Sequence, residues 1–330
     1  MTTSLYLACP AFAMNGPLER QNNIDCATWV AQEMGWSVTV SPLLSRLMGN
    51  GAWLPLKDRA ADLRVALHHD VIWGCRGGYG SIELIPTLLA AKIKHAPMLM
   101  GYSDITALHA GFQIRGWLER IYGRPPAPGF RDGRTGTSLL ACLRGEPLTF
   151  DGHLQAGVRV QHIGSGRGRL FPACLSVLAS LCGTSAMPDL NGCILAIEDV
   201  KIHPFLVATH LNQLYLSGAL RGVRGIIGGS LTHLEDHDYW GPSPDEILAE
   251  WGARLKVPTL SRVPFGHVSD ALALPYNRDT RITAERNGQW NIVINAADKA
   301  AHKAVHKAVH KAANKGANKS SHKIVRKTAG

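Results

Sequence analysis

The sequence predicts an α/β protein with two domains, at residues 1–150 and 151–298, followed by a basic tail at 299–330. Strand-like runs alternate with helix-like runs through the first 116 residues, and the alternation returns after about residue 170. The chain of 330 residues is 45% hydrophobic and 18% charged, as is typical of a globular protein that buries a sizeable core. The composition changes sharply at the tail, which has almost no large apolar residue.

The first domain alternates short apolar strands with helical patterns. This order favours a parallel sheet with helices on both faces, because parallel strands need crossover connections. In such sheets, sites form in the loops at the carboxyl ends of the strands. The predicted strands are residues 5–9, 36–41, 70–75 and 97–102, and the predicted helices are 25–35, 57–69, 81–93 and 104–116.

The second domain follows a stretch from residue 124 to about 168 whose content of glycine, proline and arginine predicts loops. Alternating patterns then return, which again indicates an α/β arrangement. The predicted strands are residues 193–200, 223–230, 258–266, 271–275 and 290–296, and the predicted helices are 174–183, 203–218 and 243–255.

The net charge of +10 belongs to the tail. Nine of the 35 Lys and Arg residues lie between Lys299 and Gly330, where there is no acidic residue, so the body is nearly neutral. Lysine recurs at every fourth position from 303 to 327. We expect disorder, because such a segment cannot bury enough apolar surface to offset its ordering entropy. A solvated tail and a non-specific contact with nucleic acid or another polyanion both fit this charge.

The seven cysteines favour buried free thiols in a reducing cytoplasm, since their number is odd and no C-x-x-C pair occurs. No apolar run approaches the roughly 18 residues that a membrane span needs, so no membrane contact is expected. The apolar start of the chain is interpreted as a first buried strand in preference to a signal peptide. Neither the pair His233 and His237 nor the tail histidines are favoured as metal ligands, and no metal or cofactor is expected.

A serine follows the fourth predicted strand, in the stretch PMLMGYSDIT (97–106). A serine at a sharp strand-to-helix turn has its hydroxyl clear of the sheet, with the N–H groups of the new helix directed to the same point. The sequence G-Y-S-D-I departs from the G-x-S-x-G pattern of the α/β-hydrolases. Taken alone, the stretch favours a helix N-cap by Ser103 or Asp104.

A glycine loop, Arg76-Gly77-Gly78-Tyr79-Gly80, follows the third predicted strand. It matches neither the Walker loop nor G-x-G-x-x-G, and a lone loop of this kind is most simply a tight turn. Its N–H groups could nevertheless hold an anion. Two such turns on neighbouring strands together favour a reactive serine beside an oxyanion site.

Five segments occur in the order seen in the LD-carboxypeptidases: GCRGGYGS (74–81), GYSDITALH (101–109), LAIEDV (195–200), GIIGGS (225–230) and PFGH (264–267). The chain resembles this family of serine peptidases over roughly residues 5–295. The family includes cytoplasmic murein tetrapeptide carboxypeptidases and microcin C immunity peptidases. The resemblance implies a flavodoxin- or amidotransferase-like N-terminal domain, a C-terminal α/β domain, a cytoplasmic homodimer and no metal.

The resemblance also implies a catalytic triad in which Ser103 is the nucleophile, Glu198 the acid partner and His267 the base. These residue types suit the chemistry, because a serine hydroxyl needs a base and the imidazole needs a carboxylate that fixes its tautomer. Asp199 could replace Glu198, but adjacent residues on a strand point to opposite faces and only one can serve.

We expect the oxyanion to be held by the N–H of Asp104 and by that of Gly77 or Gly78. Substrate contacts are expected from side chains beside these two turns. The candidates are Arg76, Tyr79 and Tyr102.

The chain departs from the family pattern near the expected substrate pocket. Pro172-Ala173-Cys174-Leu175 stands where the family has Gly-Gly-Asn-Leu, and LPYN replaces LPYG. After the IEDV strand, the acidic residue, tyrosine and Asp-Arg pair of the family align with Ile202, Phe205, Ala208 and Thr209. We therefore expect the hydrolytic chemistry to be retained and the charges of the pocket to differ.

The sequence thus predicts a serine carboxypeptidase that removes a terminal D-residue from murein tetrapeptides during cell-wall recycling. One alternative is an amidase that detoxifies a peptidyl-nucleotide antibiotic. The other is a nucleic-acid-associated protein whose peptidase core is vestigial.

Overall fold

Two β-sheets with packed helices make up the computed structural model, which describes residues 2–46, 53–93, 95–125, 129, 131–152, 157–232 and 239–298. Residues 1–296 form one compact unit. The tail at 299–330, for which disorder is predicted, lies outside the described residues, as do His233 and His237. Within the described ranges, no helix combines the length and apolar character needed to cross a bilayer.

The first sheet contains five parallel strands in the order 2-1-3-4-5, which is the flavodoxin order. Its central strands are buried on both faces, as expected where helices cover both sides. The α/β fold class predicted from the sequence is confirmed. The strands are β1 (Ser4–Ala8), β2 (Ser37–Val40), β3 (Val71–Gly74), β4 (Met98–Gly101) and β5 (Arg120–Tyr122).

The second sheet has eight strands and is mixed. Its four central strands are parallel, and antiparallel strands flank them on both sides. The remaining strands of the chain are β6 (Leu148–Asp151), β7 (Arg159–His162), β8 (Gly164–Cys174), β9 (Cys193–Asp199), β10 (Gly225–Leu231), β11 (Thr259–Ser261), β12 (Leu274–Pro275), β13 (Asp279–Ala284) and β14 (Trp290–Ile294).

One strand of the later sequence returns to the first sheet. β12 pairs antiparallel with β5, at Leu274 with Tyr122 and Pro275 with Ile121. Tyr122 in turn belongs to the hydrophobic core of the second sheet. The two sheets are therefore joined by strand pairing as well as by side-chain packing.

Seven of the eight α-helices among the described residues overlap helices predicted from the sequence, and α1 is longer than expected. α1 starts at Pro17, eight residues before the predicted start, because a proline suits the first helical position. The helices are α1 (Pro17–Met34), α2 (Leu56–Ala66), α3 (Ile85–Ala90), α4 (Thr106–Ile114), α5 (Arg134–Arg144), α6 (Leu175–Ser180), α7 (Pro204–Leu216) and α8 (Pro244–Leu255).

The prediction of loops from residue 124 to about 168 is wrong, because α5, β6, β7 and the start of β8 lie there. The glycines of β8 suggested a loop, but they serve close packing. A Cβ on Gly166 would collide with the carbonyl oxygen of Arg224, and one on Gly168 with that of Gly192. Glycine is required in this strand because other backbone passes directly against it.

The strand predicted over 258–266 is shorter, and ends at Ser261. Arg262 follows with a φ of 61°, which takes the chain out of the extended conformation. The strand predicted over 271–275 is likewise limited to β12. The segment between β11 and β12 therefore lies outside both strands, and it carries His267.

Candidate active site

The turn after β4 places Ser103 in a constrained conformation. Ser103 has a φ of 60°, in the left-handed region that non-glycine residues rarely occupy. It opens a short 3₁₀ helix, Ser103–Ile105, which leads directly into α4. Strain of this kind persists only where surrounding contacts enforce it, and it is common at functional sites.

Ser103, His267 and Glu198 form a hydrogen-bonded chain. His267 Nε2 lies 3.1 Å from Ser103 Oγ, and His267 Nδ1 lies 2.7 Å from Glu198 Oε2. The backbone N–H of His267 also donates to Glu198 Oε2, at 3.2 Å. Because an ionised carboxylate only accepts hydrogen bonds, Nδ1 carries the ring proton and Nε2 presents its lone pair to the Ser103 hydroxyl.

Glu198 is fully buried near the carboxyl end of β9. Burial raises the pKa of its carboxyl, and the hydrogen bonds from His267 and Tyr122 oppose this rise by favouring the ionised form. Gly266, with a φ of 93°, leaves room for the carboxylate, since a Cβ there would collide with it. The environment therefore both buries the charge and supplies its partners.

Asp199, the alternative acid, faces elsewhere. Its carboxylate accepts the backbone N–H groups of Ser176 and Val200, each at 2.8 Å. It is thus occupied in fixing the start of α6 and the end of β9. The alternation of side chains along the strand separates the two carboxylates as expected, and Glu198 is the one that reaches His267.

The glycine loop brings Gly77 against the serine. A Cβ built on Gly77 would lie 2.8 Å from Ser103 Cβ, 3.0 Å from Ser103 Oγ and 3.4 Å from the backbone nitrogen of Asp104. Glycine therefore keeps open the space between the hydroxyl and this N–H group. Gly78, with a φ of 119°, instead passes against the ring of Phe12.

The carboxyl group of Asp104 has a structural place. It is buried, and its Oδ2 accepts the backbone N–H of Ser81 at 2.8 Å, while the Ser81 hydroxyl donates to the Asp104 carbonyl oxygen. Burial raises the pKa of this carboxyl. These contacts join the serine turn to the glycine loop.

Arg76 is occupied by neighbouring chain. Its Nη1 donates to the carbonyl oxygen of Ala13 at 2.7 Å and to Asn15 Oδ1 at 2.5 Å, and it pairs with Glu19 at 3.3 Å. In this structure Arg76 therefore holds the loop between β1 and α1 against the glycine loop.

Tyr79 and Tyr102 present aromatic surface on two sides of the turns. Tyr79 is 45% exposed, and its ring centroid lies 4.6 Å from that of Trp53, which is 49% exposed. The Tyr102 ring lies 5.1 Å from the His267 ring. The structure thus brings Tyr102 to His267 and leaves Tyr79 in an exposed aromatic pair.

Tyr122 is the polar contact that sequence reasoning missed. Its hydroxyl accepts the backbone N–H of Ser103 at 2.9 Å and donates to Glu198 Oε1 at 2.5 Å. Tyr122 ends β5, a three-residue strand too short to produce a periodic pattern. The signal that could have found it in the sequence is a tyrosine 19 residues after Ser103.

A cavity of about 680 Å³ adjoins the loop that carries His267. It lies at the carboxyl ends of β10 and β11, and its lining includes Pro264 and Val268 but none of the three residues of the hydrogen-bonded chain. Its two arginines are paired, Arg134 with Asp270 and Arg262 with Asp245. The cavity is therefore a polar and largely charge-balanced space beside the loop that carries His267.

Among the described residues the cysteines form no disulfide, and six of the seven are buried, as predicted. Among the described residues, no cluster of three or more histidine, cysteine or acidic side chains is arranged to hold a metal ion.

Comparison with known proteins places the chain in a family. Residues 6–123 match the LD-carboxypeptidase N-terminal domain, and residues 167–282 match the LD-carboxypeptidase C-terminal domain. The chain belongs to the LD-carboxypeptidase family. The expectation of a serine carboxypeptidase is thereby confirmed at the level of the family, and the two matched segments contain Ser103, Glu198 and His267.

Curated relatives of this LD-carboxypeptidase are identical to it at about a third or fewer of the aligned residues. A putative carboxypeptidase of Streptomyces coelicolor is 33% identical over 69% of this chain and 74% of its own. A murein tetrapeptide carboxypeptidase of Pseudomonas aeruginosa is 31% identical over 65% of this chain and 73% of its own. The microcin C7 self-immunity protein of Escherichia coli is 26% identical over 67% of this chain and 74% of its own.

Solved structures share the fold of this LD-carboxypeptidase. A muramoyltetrapeptide carboxypeptidase from Oxalobacter formigenes superposes with a TM-score of 0.71 at 21% identity, covering 89% of this chain and all of its own. The microcin C7 immunity protein in complex with glutamyl sulfamoyl guanosine gives a TM-score of 0.72 at 20% identity, covering 89% and 96%. Both types of family member have the same architecture as this chain.

Proposed function

We propose that this protein is a serine LD-carboxypeptidase that hydrolyses the amide before the terminal D-residue of murein tetrapeptides, in cell-wall recycling. The observation that carries the proposal is the hydrogen-bonded chain from Ser103 through His267 to Glu198, in a member of this family. Relatives named as murein peptide carboxypeptidases in Pseudomonas aeruginosa and Bacillus subtilis support the substrate class.

In the proposed acylation step, Ser103 Oγ attacks the carbonyl carbon of the scissile amide while His267 Nε2 takes the hydroxyl proton. Glu198 stabilises the imidazolium that forms. The N–H of Asp104, with that of Gly77 or Gly78, holds the negative oxygen of the tetrahedral intermediate. His267 then gives its proton to the nitrogen of the leaving D-residue as the C–N bond breaks.

In deacylation, a water molecule gives a proton to His267 Nε2 as its oxygen attacks the ester carbonyl carbon. When the ester bond breaks, the same nitrogen returns a proton to Ser103 Oγ. The products are the shortened peptide and a free D-amino acid, and the enzyme is regenerated. The hydrogen bonds that link Ser103, His267 and Glu198 support the proton transfers of both steps.

The substrate pocket is proposed to be less charged than in most of the family. Ile202 is buried, Ala208 packs against the core of the second sheet, and Thr209 Oγ1 donates to the carbonyl oxygen of Phe205. None of these side chains can pair with a charged group of the substrate. We therefore infer a relaxed requirement for the ionised side chain of diaminopimelate before the scissile bond.

Substrate contacts from Tyr79 and Tyr102 remain part of the proposal. The position of the Tyr102 ring beside His267 supports a contact with the residue at the scissile bond, and the exposure of the Tyr79 ring supports a contact with a more distant part of the substrate. A contact from Arg76 would require it to share its present partners Asn15 and Glu19.

The decisive experiment incubates the purified protein with murein tetrapeptide and follows the products by mass spectrometry. We expect loss of one D-residue, and in Ser103→Ala a fall in kcat on the order of 10⁶-fold. The matched control is Ser180→Ala, since the Ser180 hydroxyl is exposed and, among the described residues, bonds only to the carbonyl oxygen of Val177. Substantial turnover by Ser103→Ala, or inhibition by EDTA, would contradict the serine mechanism.

Two further kinds of substrate test the proposed pocket and separate the peptidase from the detoxifying amidase. Tetrapeptides with lysine or ornithine in place of diaminopimelate should also be cleaved, and a strict requirement for diaminopimelate would overturn the inference about the pocket. Cleavage of an aminoacyl sulfamoyl nucleoside in preference to tetrapeptide would favour the detoxifying amidase, with which this chain also shares its fold.

We also propose a cytoplasmic homodimer, as the family resemblance implies. Non-specific contact with a polyanion is proposed for the tail at 299–330, on the basis of its charge alone.

A further inference from the structure

Tyr122 occupies the point where the two halves of the proposed active site meet. It lies on the first sheet, where it is paired with Gly101 across from the serine turn. Its side chain is 1% exposed and packs in the core of the second sheet. One side chain thus touches the element that carries Ser103 and the element that carries Glu198.

The direction of its two hydrogen bonds is fixed by chemistry. The backbone N–H of Ser103 can only donate, so the Tyr122 oxygen accepts that bond at 2.9 Å. The single hydroxyl proton of Tyr122 is therefore free for Glu198 Oε1, at 2.5 Å. Burial, with Glu198 close by, raises the pKa of Tyr122 and keeps this proton in place.

All of the hydrogen bonds that reach the Glu198 carboxylate in the described structure are donated to it. Oε2 receives the Nδ1 proton and the backbone N–H of His267, and Oε1 receives the Tyr122 hydroxyl. Together they favour the ionised form against the cost of burial. Removing the Tyr122 hydroxyl would leave Oε1 buried without a partner.

The bond to Ser103 has a second consequence. It is donated by the backbone N–H of Ser103, which has a φ of 60°, and so helps to keep the turn of the nucleophile in its strained conformation. It also takes this N–H out of the set that can bind an oxyanion. The oxyanion donors must then come from the neighbouring groups, Asp104 and the glycine loop.

We propose that Tyr122 is a positioning residue, which couples the turn of the nucleophile Ser103 to the carboxylate of Glu198 through one hydroxyl group. The inference rests on the proposed function, because it assigns Tyr122 a role in the reaction that Ser103 and Glu198 perform. It adds a fourth side chain, which acts through the other residues and does not itself react.

The test compares Tyr122→Phe with Tyr276→Phe. Tyr276 is a second buried tyrosine, 3% exposed, with its ring 6.4 Å from that of Tyr122. Its hydroxyl has no hydrogen-bond partner among the described residues. Both variants delete one buried hydroxyl and keep the ring, but only one of them removes the bonds to Ser103 and Glu198.

For Tyr122→Phe we expect kcat on murein tetrapeptide to fall about tenfold to a hundredfold with little change in KM, as for loss of a hydrogen bond to a charged group. The pKa of Glu198 should rise further, so the acid limb of the kcat/KM profile should move to higher pH. Tyr276→Phe should keep the kcat and the pH profile of the wild type.

An unchanged pH profile in a folded Tyr122→Phe protein would overturn the inference, even if its activity were reduced, because a purely structural loss does not move that limb. Equal effects in the two variants would overturn it as well. Failure of the proposed function itself is distinguished by Ser103→Ala, which would then retain turnover.

Discussion

The glycine loop after β3 and the serine turn after β4 end neighbouring strands of one sheet, yet they are built in opposite ways. The loop at 76–80 contains three glycines, two of them at positive φ, and contributes backbone and open space. The turn at 101–105 places a serine at positive φ and holds it through side chains of other elements. The difference shows that one wall of the site is set by steric access and the other by hydrogen bonding.

The residues that support the two turns differ in the same sense. Arg59, fully buried, donates to the carbonyl oxygens of Gly80 and Pro10, and arginine keeps its charge at any physiological pH. His109, also fully buried, contacts the carbonyl oxygen of Gly101 through Nε2 at 3.0 Å. The serine turn is therefore supported by His109, which can gain a positive charge, and the glycine loop by Arg59, which already carries one.

Among the changes that test this comparison, the largest fall in kcat is expected when a side chain at position 77 fills the space beside Ser103. In Gly77→Ala the new methyl group would lie 2.8 Å from Ser103 Cβ, so the turn or the loop must shift. Gly77 does not have a positive φ, so the damage comes from contact and not from backbone strain. We expect kcat to fall about 100-fold or more, as when an oxyanion donor is lost.

The control for this change is Gly16→Ala, since a Cβ at Gly16 meets nothing within 4 Å. Steady-state kinetics and thermal unfolding of both variants make the comparison. Near-normal kcat in Gly77→Ala would mean that the glycine loop does not form a wall of the site.

A smaller effect is expected on the free energy of unfolding at low pH, and it tests the role of His109, which contacts the serine turn. Burial, with a contribution from Arg120, lowers the pKa of His109 to about 3. The unfolded chain binds this proton near the ordinary pKa of about 6.5. Stability from His109 is therefore complete above pH 6.5 and is lost as the pH falls toward 3, with a slope of up to about 1.4 kcal/mol per pH unit.

The variant His109→Gln lacks this titration. Its free energy of unfolding, measured with urea across the same range, should fall less steeply with decreasing pH than that of the wild type, whatever its absolute stability. Parallel curves for the two proteins would show that the serine turn does not depend on a neutral imidazole.

Part of this comparison could be predicted from the sequence. The segments GCRGGYGS and GYSDITALH located both turns, and the order of apolar runs predicted β3 and β4 beside one another. Tyr122 and His109 were not predicted as supports, because a contact between strands depends on register and tertiary packing. The structure supplies that register, with Gly101 beside Tyr122.

The loop prediction for 124–168 failed for a related reason. Gly166 and Gly168 have the composition of a turn, but in β8 they are needed where other backbone approaches closely. A single sequence does not distinguish a glycine that bends the chain from one that admits a neighbour, since both require only the absence of a side chain.

The smallest effect on catalysis is expected from removing the tail. Deletion of 299–330 should leave both turns and kcat/KM on a small peptide unchanged, while retention on DNA or RNA at low salt should be lost. A tail of equal length with glutamine at its nine basic positions separates charge from length. Equal nucleic-acid binding after deletion would exclude the tail as its cause, and loss of peptidase activity would show that it belongs to the fold.

Because β12 returns to the first sheet, this sheet cannot be completed until a late part of the chain has been translated. β5 and its neighbours emerge early, but the strand that covers the edge of β5 is translated only after β6 to β11. Until then that edge of β5 has no strand beside it, and an unpaired strand edge is able to pair with other chains. His267 lies just before β12, so a chain that ends before residue 267 lacks both the proposed base and the strand that covers β5, and we expect it not to hydrolyse peptides by the proposed mechanism.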